Sequence, residues 1–142
     1  MPASTAFKRI LCAVDFSRGS VEAFRVAIQT AKLHGATLHL FHVIEPLPSG
    51  TGELIVEIVA KANAAMEELV RWAQPSLNGL PFTSEATSGR AYEEIVHRAR
   101  DWKAELIVLG SKGATSLDEI VIGGTAAAVV KEAPCSVLLV RT

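Results

Sequence analysis

Only two of the 142 residues are cysteine, Cys12 and Cys135, and no Cys-x-x-Cys or Cys/His cluster surrounds either. That excludes a disulfide scaffold and a cysteine-based zinc module, and leaves both thiols as small core residues in or beside apolar runs. Charge of one sign is missing too. The net charge is −1 with no block of five like charges, so the basic face that sequence-independent nucleic-acid binding needs is absent. The longest apolar runs are five or six residues, against roughly 20 for a helix crossing a bilayer. The first residues, Met1 to Ala6, lack the charged-then-apolar layout of a secretory leader, so the cytoplasm is the expected location.

What is present is a globular composition with 49% apolar residues, enough for one domain spanning 1–142 to bury a core. Strand-like runs alternate with helical periodicity. Phe7–Val14 reads as a first strand, and Val21, Phe24, Ile28 and Ala31 mark a helix that Gly35 closes. Ala36–Val43 is a second strand, followed by the Pro/Gly-rich loop Glu45–Gly52. Glu53–Gln74 is predicted as a long helix with Ile55, Ile58, Ala62, Ala65, Leu69 and Trp72 near one stripe, and Pro75 is expected to stop it. Pro81–Thr87 is a polar strand suited to a sheet edge. Arg90–Lys103 is a helix turning Ile95, Ala99 and Trp102 inward. Glu105–Leu109 is a buried strand, Thr125–Ala133 a last helix and Ser136–Arg141 a last strand.

Strands separated by crossover helices run parallel, which predicts an α/β three-layer sandwich with helices on both faces of a five-stranded sheet. Periodicity does not fix the strand order. If it is 3-2-1-4-5, the winding reverses between the first and fourth strands, and a ligand would sit beyond their carboxyl ends. Asp15 leaves the first of these and Gly110 the other.

The stretch GSKGATSLDEIVIGGTA, residues 110–126, carries the chemistry. Gly110 and Gly113 bracket Ser111-Lys112, and Gly123-Gly124 precede Thr125 at the start of a helix. Glycines let backbone N–H groups approach a phosphate without a Cβ in the way, and a helix start offers unpaired amides at the positive end of its dipole. The same glycines could equally make only a turn and a tight helix–strand contact. Lys112 lies in GSKG, which is not a Walker motif.

The spacing G-x2-G-x9-G (Gly110, Gly113, Gly123) resembles the signature of the ATP-binding branch of the universal stress protein family. So do Ala13–Ser17 (AVDFS), His42-Val43 at the end of the second strand, and Lys131–Arg141 (KEAPCSVLLVR). The resemblance spans nearly the whole chain and implies the 3-2-1-4-5 order and a regulatory module of the stress response. It also implies an adenine nucleotide, ATP with Mg2+ on its phosphates, in the crevice. By position, Asp15 would hold the ribose or lie near the phosphates, and Val43 would meet adenine through its backbone. Gly110, Gly113, Gly123 and Gly124 would cradle the phosphates; beside them, Lys112 is read as a cation that offsets nearby acids and Thr125 as a hydroxyl one step further on. Two positions depart from the family pattern: Gly124 stands where a serine or threonine is usual, and Asp118-Glu119 put acids inside the nine-residue span.

No acid–base pair aimed at one bond is visible, and no Gly-x-Ser-x-Gly elbow. His34, His39, His42 and His97 lack metal-ligand spacing. An enzyme is therefore not the expectation, although slow hydrolysis of a held phosphate by water would need no more than the cradle. A response-regulator receiver needs clustered acids after its first strand, a flavodoxin a phosphate loop there, and an ATP pyrophosphatase SGGxDS; DFSRGS supplies none of these. The remaining alternative is a family member that binds no nucleotide and acts through protein contacts. Val137–Val140 is apolar on both faces, which at a sheet edge invites pairing with a second copy, so a homodimer through residues 136–141 is expected.

Overall fold

The structure, a computed structural model, describes residues 6–46, 51–112 and 122–142. In chain order it comprises β1 (Arg9–Ala13), α1 (Arg18–His34), β2 (Thr37–Ile44), α2 (Gly52–Leu77), β3 (Phe82–Ser88), α3 (Ala91–Trp102), β4 (Leu106–Gly110), α4 (Gly124–Glu132) and β5 (Ser136–Val140). All four strand pairings are parallel and the order is β3-β2-β1-β4-β5, as expected.

The alternation of side chains along the central strands builds two cores. Ile10, Cys12, Leu38, Leu40, Leu106 and Val108 face α1 and α2, where Phe24, Ile28, Met66 and Leu69 cover them. Leu11, Ala13, Phe41, Val43, Ile107 and Leu109 face α3 and α4, where Ile95, Ala99, Ala126 and Val129 close over them. The right-handed crossover rule explains the split. Winding from β1 out to β3 lays two helices on one face, and winding back to β4 and β5 lays two on the other. Cys12 is fully buried, which pushes its thiol well above the ordinary range; Cys135 is partly buried and is raised by the same desolvation.

Gly35, at φ 66°, ends α1, and the Ala36 amide reaches the Ala31 carbonyl at 2.9 Å. The same turn closes α3 on Lys103, a non-glycine at φ 59°. Three expectations need correction, all on α2. The helix does not stop at Pro75 but runs through it to Leu77. A proline so near the end forfeits one hydrogen bond, to the Arg71 carbonyl, while Leu77 is buried and anchors the final turn. Trp72 is 51% exposed rather than inward, because Leu69, Ala73 and Leu77 occupy the sheet-facing line; its ring lies 5.2 Å from the Arg25 guanidinium instead. Ile55 is exposed as well, since the first turns of α2 extend past the strand ends.

Candidate functional site

Where β1, β2 and β4 end, the two layers of helices part, leaving a crevice of about 620 Å3. Its apolar floor includes Ala13, Phe41, Val43, Ile44 and Leu109; Ala91 and Ile95 of α3 and Thr125 and Ala126 of α4 form one wall. Asp15, His42, Glu45, Lys61 and Lys112 supply its charged and titratable groups.

The turn after β1 is fixed from several sides. The Asp15 Oδ1 accepts from the Ser17 amide at 3.0 Å and from the Ser17 hydroxyl at 2.5 Å. Ser17 caps α1 by accepting from the Ser20 amide at 3.3 Å, and the buried Ser20 hydroxyl accepts from the Asp15 amide at 3.2 Å. Asp15 is therefore a brace for the α1 cap and a crevice residue at once. Phe16 sits at φ 66°, a region that side-chain-bearing residues rarely adopt, with its ring 4.4 Å from that of His42. His42 Nδ1 lies 2.8 Å from the Val14 carbonyl; a carbonyl only accepts, so Nδ1 carries the proton. The β1–β2 register ends at Ala13↔Phe41, so His42, Val43 and Ile44 run on past β1 and line the opening.

Gly110 is required for a steric reason. A Cβ there would sit 3.0 Å from the Gly19 carbonyl carbon and 3.2 Å from the Ser20 amide nitrogen. The exit of β4 is thus packed directly on the backbone of the first turn of α1. Ser111 joins the two glycine stretches: its amide donates to the Val140 carbonyl at 3.0 Å, and its carbonyl accepts from the Gly123 amide at 2.7 Å. The stretches converge as the motif suggests, but the Gly123 amide is already taken. The next amides, those of Gly124, Thr125 and Ala126, form the first turn of α4, where a helix has no carbonyl of its own one turn back to pair with them, and among the described residues no side chain caps them. Among the described residues nothing crowds the space a Cβ on Gly124 would take. Gly113, Asp118 and Glu119 lie outside the described residues.

The helix starts differ in how they are capped. Ser17 caps α1, Thr51 caps α2, and the Glu45 carboxylate accepts from the Ala91 amide at 3.1 Å at the start of α3. Among the described residues no side chain caps α4. Sequence reasoning missed Ile58, Lys61, Ala62 and Ala65 of α2 as site residues, although Ile58, Ala62 and Ala65 were on its inner stripe. The signal was there: these positions stand at i, i+3, i+4 and i+7, one helix face. Among the described residues no group of three His, Cys, Asp or Glu side chains could hold a metal ion, and no helix is long and apolar enough to cross a membrane.

The family model for the universal stress protein family matches residues 6–141. A universal stress protein of Thermus aquaticus is 39% identical over 136 residues, covering 95% of this chain and 99% of its own. Among solved structures, universal stress protein UspA from Lactobacillus plantarum superposes with a TM-score of 0.87 at 28% identity, over 97% of this chain and 100% of that one. More distant in sequence, at 23% identity and a TM-score of 0.69, is the universal stress protein from Archaeoglobus fulgidus in complex with dAMP, over 96% of this chain and 100% of that one. A further universal stress protein of the same fold, at 22% identity and a TM-score of 0.77, is in complex with cAMP. With the sheet order, the matched length and these relatives in agreement, the chain belongs to the universal stress protein family.

Proposed function

We propose that residues 1–142 form a single adenine-nucleotide-binding module of the stress response, acting in the cytoplasm as a regulator rather than as a metabolic enzyme. The observation that carries this reading is the composition of one crevice. An apolar floor ends against the start of α4, whose first-turn amides no described side chain caps, with Lys112 alongside. A planar base suits the floor and a phosphate suits the helix start. Val43 and Ile44 would flank the base, Asp15 would face the ribose, and Gly110, Lys112, Gly113, Gly123, Gly124 and Thr125 would surround the phosphates. Gly123 would act through the turn it makes, since its amide is engaged by Ser111. Two relatives of the same fold carrying dAMP and cAMP support an adenine nucleotide as the ligand class. Any Mg2+ would arrive on the phosphates, and Asp15 and Glu45 are the carboxylates that line the crevice.

The module is also proposed to pair with a second copy through β5. That strand is the sheet edge beside β4, Leu138 on it is 37% exposed, and Val130 on the neighbouring α4 is 51% exposed. The deciding experiment for nucleotide binding is mass spectrometry of small molecules released from the purified protein, with calorimetric titration of ATP and adenosine. Co-purified adenine nucleotide, or saturable ATP binding, supports the reading. Neither, at millimolar ATP with Mg2+, leaves a family member that works through protein contacts alone.

A further inference from the structure

The inner stripe of α2 changes partner halfway along. Its second half, Met66, Leu69, Ala73 and Leu77, is buried on the sheet. Its first half, Ile58, Lys61, Ala62 and Ala65, continues the same face but lines the crevice. This wall faces the opening from the layer opposite α3 and α4, and among the described residues Lys61 is the only ionisable group on it. The two crevice carboxylates already have donors, Asp15 from Ser17 and Glu45 from Ala91. Lys61 is held only loosely on its own helix: Glu57, one turn back, lies 3.5 Å away, and both side chains are more than half exposed. An exposed pair of this kind contributes little and exchanges readily for a stronger anion.

We infer that Lys61 is a specificity-determining residue of the crevice that exchanges Glu57 for a ligand phosphate, so that α2 selects phosphate-bearing nucleotides over the bare nucleoside. The inference rests on the nucleotide reading above and assigns this chain a second cation in the crevice, contributed by α2 and additional to Lys112 at the exit of β4. Small residues beside it, Ala62 and Ala65, leave the space that a ligand edge needs.

The test is calorimetric titration of ATP and of adenosine into wild type, Lys61→Gln, Lys61→Arg, Glu57→Gln and the double variant. All replaced side chains are exposed and all replacements are good helix formers, so the variants remain folded. Lys61→Gln is expected to weaken ATP about fivefold with a shallower salt dependence, while adenosine is unchanged and Lys61→Arg stays near wild type. Glu57→Gln is expected to tighten ATP about twofold, and the double variant to match Lys61→Gln alone. Equal ATP affinity in wild type and Lys61→Gln overturns the inference and leaves the nucleotide site standing; so does an equal loss for ATP and adenosine, which makes Lys61 mere packing. Wild type that binds neither ligand overturns both.

Discussion

Replacing Gly124 with serine gives the sharpest test of the phosphate end of the crevice. Gly124 is the first residue of α4, its φ is not in the left-handed region, and no described residue lies within 4 Å of where its Cβ would stand, so a side chain fits without moving a neighbour. A serine hydroxyl at that position would stand beside the first-turn amides, where the anion is proposed to sit. A hydrogen bond to a charged oxygen contributes about 1.5–3 kcal/mol net, and ordering an exposed serine rotamer takes part of that back. Gly124→Ser is therefore expected to tighten ATP about tenfold and to leave adenosine unchanged. Gly124→Ala is the control. It brings the same Cβ and the same gain in helix propensity, about 0.5–1 kcal/mol of stability, without the hydroxyl. Titration calorimetry on the three proteins reads the affinities, and thermal melts check that both variants are folded. Serine and alanine variants that bind ATP alike would sink the expectation: the helix start is then not where the phosphates go, or Thr125 already supplies the hydroxyl, which a tenfold loss in Thr125→Val would reveal.

Gly110→Ala should destabilise the fold by about 1–3 kcal/mol in denaturant titrations even without ligand, because its Cβ would press on the Gly19 backbone at 3.0 Å; an unchanged midpoint would refute the close-packing account. Glu85→Ala should lower stability by about 2 kcal/mol in urea unfolding. Its carboxylate holds both Arg98 Nη2 at 2.9 Å and His39 Nε2 at 3.0 Å, and Arg98 Nε is already buried without a partner among the described residues. A loss below about 0.5 kcal/mol would show that water replaces the contact. Leu138→Lys should shift light-scattering mass from two chains to one at micromolar concentration, whereas a wild-type monomer would end the β5 proposal.

Much of the architecture was legible because two periodicities differ so clearly. Glu105–Leu109 could only be a buried strand, and the structure centres β4 between β1 and β5. Gly35 closed α1 because only glycine takes that turn at no steric cost. The strand order came from the family resemblance, since crossover helices fix strand direction without fixing neighbours. The site was half legible. Glycine spacing located the β4 and α4 side, where backbone geometry matters and leaves a mark in residue type. The α2 wall left a weaker mark: an apolar stripe reads the same whether it faces a core or a cavity, so Ile58, Ala62 and Ala65 could be placed on a face but not in the crevice. Trp72 misled for a related reason, because a large apolar residue one step off the stripe can lie on the surface and cover a guanidinium.

Ser111 sits where three parts of the chain are spliced. Its amide is tied to Val140 on the outermost strand and its carbonyl to Gly123 at the mouth of α4, while its neighbour Gly110 rests on the first turn of α1. Both of its main-chain groups being committed, a displacement of a few tenths of an ångström at the end of β4 has no slack to absorb it. It must be carried to the rim of the sheet and to the last helix together. A purely backbone joint of this kind works with any residue at position 111 except proline, which has no amide hydrogen to give, so its loosening would show as altered hydrogen exchange at the amides of Ser111 and Gly123 and not as a change in side-chain chemistry.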